Sequence, residues 1–525
     1  MNRKFILNTG FVGVLTFVSR MTGLVRDMVY ARMFPTGTGL MDAFLVAYQI
    51  PNTMRRFFAE GAFSQAFVPI VTEYRTRNSH DEVRDLVDSA AGTLASVLLV
   101  VTGLGVLLAP ILIMILAPGF EGVDRAAMAA HMLRWTFPYL LFVSLTALAG
   151  GVLNSYGRYG VPAFTSTVLN LTAIVFAAWI APRTRTPEVT LAIGVFVGGI
   201  IQLAMQIPSL LKLHLLRRPR FNWHHEGVQR IARLMGPAIV GSSMGQISVL
   251  LSSSIATLLA TGSVAWLYYA DRLVEFPLGV FSIALATVIL PSLSTHHAER
   301  SPERFGATID WALRLLTLIV MPASVALFVL AGPLTVSIYH YGKFGDFDTE
   351  MTRRALMAYA FALLGWSLVK VLAPGYFARQ DTKTPMRTAM GSLAITMGLN
   401  LALVGTAYAM GQLKHQGLHI VLALSNAVGS LANSYWLYRG LRKRNVLVPS
   451  PGWSAFLVRV AVANIAMAAF LGWYAGAGDA WIALHAWARA GRMALCVIGG
   501  AAVYFAALWA TGLRPNHFRF QAPAE

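Results

Sequence analysis

Charge is scarce in this chain. Only 12% of its 525 residues are Asp, Glu, Lys or Arg, where soluble domains carry about 25%. So few charges cannot cover a water-exposed globular surface. Acidic residues are the scarcer sign, with 23 Asp and Glu against 42 Lys and Arg and a formal net charge of +19. Cysteine occurs once, at Cys496, which excludes an intrachain disulfide and a thiolate metal cluster. Enzyme signals are lacking as well. Neither a Walker A loop nor an HExxH motif is found, and His224-His225 is an isolated pair where a metal site needs three or four ligands. Regular strand alternation is missing too, which excludes a membrane β-barrel.

What the chain has in excess is apolar sequence, 56% of its residues. It comes in stretches of about 20 residues, the length that crosses a bilayer core. The expected spans are 5–33, 41–70, 87–116, 128–155, 161–182, 189–213, 230–260, 264–293, 308–339, 354–378, 386–410, 417–438, 454–475 and 488–511. The fold class is therefore an all-α integral membrane protein with about fourteen transmembrane helices. Several spans exceed the minimum and imply tilt. Met1-Asn2-Arg3-Lys4 followed by an apolar run is read as an uncleaved first span.

Cations collect in alternate loops. One set holds Arg3 and Lys4, Arg75, Arg77 and Arg84, Arg158, Arg217, Arg218 and Arg220, Arg300 and Arg304, Arg379 and Lys383, Arg439 to Arg444, and Arg514 and Arg519. The other set is poorer, with Arg183, Arg185, Lys343 and Lys414 in loops and Arg353, Arg354, Arg489 and Arg492 near span starts. The bias places the first set and both termini in the cytoplasm. It also accounts for the net positive charge without nucleic acid.

A weak internal repeat runs through the chain. Ala31 to Gly37 resembles Ala256 to Gly262, Pro51 and Pro69 recur as Pro277 and Pro291, and Arg158 to Pro162 recurs as Arg379 to Pro385. Two parallel lobes are expected, 1–222 and 223–445, with 446–525 as a C-terminal helix pair. Paired lobes around a central cavity suit a transporter. The repeat is chemically uneven, because Arg26 and Asp27 align with Leu251 and Ser252. Cationic binding groups are thus concentrated in the first lobe.

Arg20, Arg26 and Arg55 lie within the first two spans, and Arg272 lies in the eighth. An arginine at the centre of a spanning helix costs about 2.5–3.5 kcal/mol on insertion scales. Several are tolerable where they face water or an anion. Arg20 and Asp27, seven apart, share a helix face, whereas Arg26 is turned away by about 120°. The alternative for Arg20 and Arg26 is a structural pair with Asp27 or Asp42. Asp27 and Asp42 are themselves structural or gating groups, since a carboxylate repels an anionic cargo. Pro51 removes a helix hydrogen bond, Asn52 can satisfy freed backbone groups, and Arg55 follows one turn later. Arg56 and Glu60 are spaced to pair. Arg272 is spaced to pair with Glu275 at rest and to turn to cargo. Lys370 either snorkels to an edge or lines the cavity. Arginine suits phosphate because its planar fork binds two oxygens and stays charged. With no ATP site in the chain, transport draws on the cargo gradient, an ion gradient or the membrane potential.

Two strings are longer and more specific than these spacings. Ser19-Arg20-x-x-Gly23-x-x-Arg26-Asp27 is followed by Pro51-Asn52-x-x-Arg55-Arg56-x-x-Ala59-Glu60-Gly61-Ala62-Phe63-Ser64. Together with Tyr268 to Pro277 and Lys370 to Pro385, they closely resemble the MurJ (MviN) family of lipid II flippases, and the resemblance spans nearly the whole chain. It implies the multidrug/oligosaccharidyl-lipid/polysaccharide exporter superfamily, with two six-helix lobes, alternating access and no enzymatic activity. The implied cargo is lipid II, the undecaprenyl-pyrophosphate-linked peptidoglycan precursor, moved to the outer leaflet of the inner (cytoplasmic) membrane for cell-wall synthesis. By the same resemblance, Arg20, Arg26, Arg55 and Arg272 match substrate-binding cavity arginines. Asp27, Asn52 and Glu275 match gating or cavity positions. Asp42, Glu60 and Lys370 match charged positions of open role. The last two helices would form a groove for the lipid tail. One departure is Ala265 before Trp266, where the family often has serine. No metal or cofactor is assigned, and the coupling cation or potential stays open. A monomer in contact with membrane lipids is expected, with cell-wall synthesis and division proteins as candidate partners. The rivals are another exporter of the superfamily (for polyprenyl-linked oligosaccharide or drugs), a polyprenyl-dependent glycosyltransferase and a non-transporting scaffold.

Overall fold

The structure, a computed structural model, describes residues 3–56, 62–120, 123–215, 218–299, 301–476 and 478–514. Glu60 lies outside these residues, as do the loop cations Arg217, Arg300 and Arg519. All regular structure among the described residues is helical. Each expected apolar stretch falls on one helix or on consecutive helices. Nine described helices or helix runs are long and apolar enough to cross a membrane by themselves. Others, such as those at 3–33 and 226–257, are long enough but carry arginines or serines.

The chain divides into two compact units, residues 1–264 and 265–525. The first contains α1 (Arg3–Met33), α2 (Leu40–Arg55), α3 (Ala62–Arg77), α4 (His80–Leu107), α5 (Ala109–Leu116), α6 (Val123–Thr136), α7 (Tyr139–Ser155), α8 (Gly160–Val175), α9 (Pro187–Leu211) and α10 (Glu226–Thr257). Its apolar core gathers Phe67 and Val71 of α3, Leu86 of α4, Val152 and Leu153 of α7 and Val228 and Ile231 of α10. Helix α10, which the repeat assigns to the second lobe, packs on α3 here. Small residues set the closest approaches, as in membrane bundles generally. On α9, a Cβ at Gly198 would lie 2.7 Å from Leu169 of α8, and one at Gly199 2.7 Å from Tyr139 of α7. The two glycines let α9 wedge between its neighbours. Gly92 of α4 does the same for a loop, since a Cβ there would lie 2.3 Å from the Arg220 carbonyl. The Arg220 N–H donates to the Asp88 carbonyl at 3.1 Å, so the strand of chain before α10 lies across α4.

The second unit begins within α11 (Ser263–Pro277) and continues through α12 (Ala284–Ala298), α13 (Pro302–Val329), α14 (Ala331–Tyr339), α15 (Asp346–Phe377), α16 (Lys383–Ala409), α17 (His419–Lys443), α18 (Trp453–Ala475), α19 (Asp479–Ile482) and α20 (Ala486–Ala510). Helix α15 is central and packs on α12, α13, α14 and α17. The C-terminal pair is pinned at both ends. At one end, Ser450 Oγ and Trp453 Nε1 each donate to Asp310 of α13 at 2.6 Å. At the other, Arg489 is buried and donates to the carbonyls of Val336 and His340 beside α14 and of Trp481, Ile482 and Leu484 around α19.

That contact explains part of the charge pattern. Cations near span starts in the poorer loop set are consumed internally. Arg353 and Arg354 share Glu350, while Arg489 and Arg492 bind backbone carbonyls.

Three helices begin six to eight residues earlier than the apolar pattern implies, at His80, Pro302 and Asp346 rather than 87, 308 and 354. Polar start signals extend them. Ser79 and Glu82 form a capping box before α4, Pro302 occupies the first turn of α13, and Asp346 and Asp348 meet the positive end of α15. Wider π turns follow α8 at Phe176–Ile180 and α11 at Leu278–Ile283. The latter comes directly after Pro277, whose missing N–H breaks the regular ladder.

Candidate functional site

In the first unit, the Arg26 side chain is nearly inaccessible at 7% exposure, and Asp27 is at 1%. The Arg26 Nε and Nη2 donate to Asp27 Oδ1 at 3.0 and 2.8 Å. Its Nη1 donates to Asn170 Oδ1 of α8 at 3.1 Å, and its guanidinium lies 5.6 Å from the Tyr30 ring centre. Asn170 in turn donates from Nδ2 to the Ser19 carbonyl at 3.1 Å and to Thr22 Oγ1 at 3.4 Å. A buried cation is thus paired, and its pairing is built into the α1–α8 contact.

Of the pairings left open for Arg20 and Arg26, this arrangement is that of Arg26 with Asp27. Arg26 and Asp27 are neighbours in sequence, but the long arginine side chain reaches round to the carboxylate. Arg20 is half-buried and makes no hydrogen bond or ion pair with another described residue.

On α2, Arg55 Nε and Nη2 donate to Asn52 Oδ1 at 3.1 and 3.0 Å, one turn back. Arg56 donates from Nη1 to Gln246 Oε1 of α10 at 3.0 Å; the expected partner Glu60 is among the undescribed residues. Asp42 is buried in the first turn of α2. Its Oδ2 accepts the Gly262 N–H at 2.7 Å, where Gly262 turns with a φ of 97°. Nearby in the chain, the Gly119 N–H donates to Thr257 Oγ1 at 3.1 Å. Together these contacts tie the end of α10 and the following turn to α2 and to the α5–α6 connection.

In the second unit, Arg272 pairs with Glu275 along α11, as the spacing implied, and lies 4.9 Å from the Tyr268 ring centre. Lys370 is exposed on α15. Ala265, which takes the place of a family serine, is fully buried, and the next residue, Trp266, donates from Nε1 to Asp348 Oδ1 at 2.8 Å.

Among the described residues no cluster of three or more His, Cys, Asp or Glu is placed to hold a metal ion. His225 instead caps α10, its Nδ1 accepting the Gly227 N–H at 3.0 Å. Gly241-Ser-Ser-Met-Gly245 has the GxSxG spacing of a hydrolase nucleophile. It lies in the middle of α10, however, not on the strand-to-helix turn that such a nucleophile requires.

Asn170 is the residue that the sequence reading missed. Its signal was a lone amide in an apolar stretch, Val168-Leu-Asn-Leu-Thr172, since polar groups at membrane depth are costly and kept for a partner.

Comparison with known proteins adds the following. The family described as "Lipid II flippase MurJ" matches residues 31–484. A Burkholderia cenocepacia protein named "Lipid II flippase MurJ" is 40% identical over 99% of each chain. A Haemophilus influenzae protein, "Probable lipid II flippase MurJ", is 38% identical over 96% of this chain and 99% of its own. Among solved structures, "Lipid II flippase MurJ, inward closed conformation" superposes with a TM-score of 0.78 at 22% identity, covering 94% of this chain and 97% of that one. An inward-facing multidrug resistance transporter of the MATE family in the MOP superfamily gives 0.64 at 13% identity, over 82% and 95% of the two chains.

Proposed function

Because this chain belongs to the lipid II flippase MurJ family, we propose that it flips lipid II from the inner to the outer leaflet of the cytoplasmic membrane. It is a transporter, not an enzyme, and a multi-pass membrane protein. The observation that carries the cargo assignment is Arg26, a guanidinium almost wholly buried in an apolar helix and held by Asp27 and Asn170. A preorganised cation in a low-dielectric setting favours a pyrophosphate over a neutral solute.

In this reading Arg20, Arg26, Arg55 and Arg272 take the pyrophosphate by alternating access of two lobes, 1–222 and 223–445. Asp27, Asp42, Asn52 and Glu275 act as gating or cavity groups, and Glu60 and Lys370 contribute cavity charge. The helix pair 446–525 accommodates the lipid tail. Asp27 exchanges Arg26 for cargo, and Glu275 exchanges Arg272. Both termini face the cytoplasm, in line with the loop charges. A coupling cation or the membrane potential resets the inward-open state, and the working unit is a monomer that meets cell-wall synthesis and division proteins. Likeness to multidrug transporters at 13% identity speaks for the fold alone, and a basic site disfavours cationic drugs.

The test is complementation of cells depleted of their lipid II flippase, with leaflet-specific labelling of lipid II. Wild type should restore outward exposure. Arg20→Ala, Arg26→Ala, Arg55→Ala and Arg272→Ala at matched expression should leave lipid II inside. Failure of a correctly inserted wild type would reject the cargo, and full activity of all four variants would reject the site.

A further inference from the structure

Where α12 ends and α13 begins, the second unit holds an open cavity of about 360 Å3. His296 and His297 line it from the last turn of α12, Ser301 and Phe305 from the start of α13, Arg379 from the α15–α16 connection and Arg444 from the end of α17. The lining is rich in donors and in positive charge.

Arg444 is held in place from behind. Its Nη1 donates to Asp381 Oδ2 at 2.6 Å and its Nη2 to Thr384 Oγ1 at 3.2 Å. Asp381 also accepts the Thr384 N–H and hydroxyl. Arg379 differs. Its Nη1 is buried yet has no hydrogen-bond partner among the described residues. A buried, unsatisfied donor costs about 1–3 kcal/mol, and more on a charged group, so this guanidinium has donor capacity that none of the described residues takes up. The N-terminal end of α13 adds partial positive charge to the same cavity. The nearby carboxylates have cationic or histidine neighbours of their own: Asp381 is taken by Arg444, and a Glu299 oxygen lies 3.5 Å from His296 Nδ1.

We infer that this cavity binds a phosphate-bearing anion, with Arg379 as its principal ligand and Arg444 as a preset second. Phosphate fits better than carboxylate because a tetrahedral oxyanion can be shared between two guanidinium forks and a hydroxyl. The size is that of a small-molecule site. An anion there would join the α12–α13 turn to Arg379 and Arg444, whose own segments are already tied together through Asp381. All of them belong to the cation-rich loop set assigned to the cytoplasm, where phosphate comes from two sources: soluble phosphate compounds and the headgroups of anionic lipids. The site is separate from Arg20, Arg26, Arg55 and Arg272, and it stands or falls independently of the cargo.

The test uses the full-length protein in nanodiscs. One set contains only phosphatidylcholine and is titrated with inorganic phosphate against chloride at equal ionic strength. A second contains added phosphatidylglycerol and no phosphate. Hydrogen–deuterium exchange is followed over 296–305 and 376–384. Saturable protection by inorganic phosphate identifies a soluble ligand, and protection confined to the anionic discs identifies a headgroup. In either case Arg379→Gln should weaken binding at least tenfold, while Arg379→Lys retains most of it. Both variants are checked for wild-type exchange elsewhere in the chain. No saturable protection in either disc, or equal protection in Arg379→Gln, overturns the inference.

Discussion

Replacing Arg489 with alanine should loosen the C-terminal helix pair more than any other single truncation there. The side chain is 6% exposed. It donates to five carbonyls, those of Leu484 and Ile482 at 2.9 Å, Trp481 at 3.0 Å, and Val336 and His340 at 3.1 Å. A net hydrogen bond to a charged group contributes about 1.5–3 kcal/mol. The five act as one unit and do not add, and burying the guanidinium offsets part of the gain. Losing one partner of such a buried charged network typically costs about 3–5 kcal/mol. Taking the lower figure, the local opening equilibrium should rise about a hundredfold, at tenfold per 1.4 kcal/mol.

The chain carries its own probe for this opening. Cys496 is the only cysteine, is buried, and lies two turns beyond Arg489 on the same helix face. Its reaction with a maleimide should accelerate about a hundredfold in Arg489→Ala, in proportion to the opening equilibrium. Arg489→Lys should fall between, because an ammonium keeps the charge but has only three donors. If Cys496 in Arg489→Ala reacts within threefold of wild type, the five contacts do not hold the pair and the reasoning fails.

Other expectations are as direct. Asn170→Leu removes the acceptor of Arg26 and the donors to Ser19 and Thr22, so the detergent-solubilised protein should lose about 1–3 kcal/mol of stability; an unchanged thermal midpoint would count against the α1–α8 lock. Gly119→Ala would set a Cβ 2.1 Å from the Thr257 carbonyl oxygen and should cost about 1–3 kcal/mol, seen as faster hydrogen exchange at 255–262. Asp381 gives a pH dependence. Burial raises its carboxyl, but hydrogen bonds from Thr384 and Arg444 outweigh this and hold the pKa at about 2, below the ordinary 3.8. A depressed carboxylate stabilises the fold above its unfolded pKa and loses that contribution as pH falls through the folded one. Protection of 376–384, corrected for intrinsic exchange, should therefore be level above about pH 4 and decline toward pH 2, and Asp381→Asn should flatten the profile.

The helices were legible because membrane burial is a property of local composition. A run such as Val97 to Leu108 needs no partner to be read as a span. Helix starts were less legible, since at His80, Pro302 and Asp346 polar caps rather than apolar residues set the boundary. The π turn after Val175 has no signature in a 3.6-residue period. For the site, pairs within one helix could be read from spacing, as Arg272 with Glu275 was. Contacts between elements could not. Nothing in the spacing of α1 names Asn170, 144 residues away, as the third member of the Arg26–Asp27 pair. Nor does it show that Arg26 rather than Arg20 takes the carboxylate, because that depends on how far a flexible side chain reaches and not on its Cβ direction.

The bond between Asp42 and Gly262 has a consequence for biogenesis. Its partners are 220 residues apart, and chains are made at about 5–20 residues per second. The nascent Asp42 therefore reaches the membrane roughly ten to forty seconds before the N–H that will hold it exists. During that interval the carboxylate at the start of α2 lacks one of the donors that hold it in the finished fold. The first unit is thus finished only when the chain has been translated past its tenth helix, and a ribosome stalled short of residue 262 would leave the buried acid of α2 without this bond.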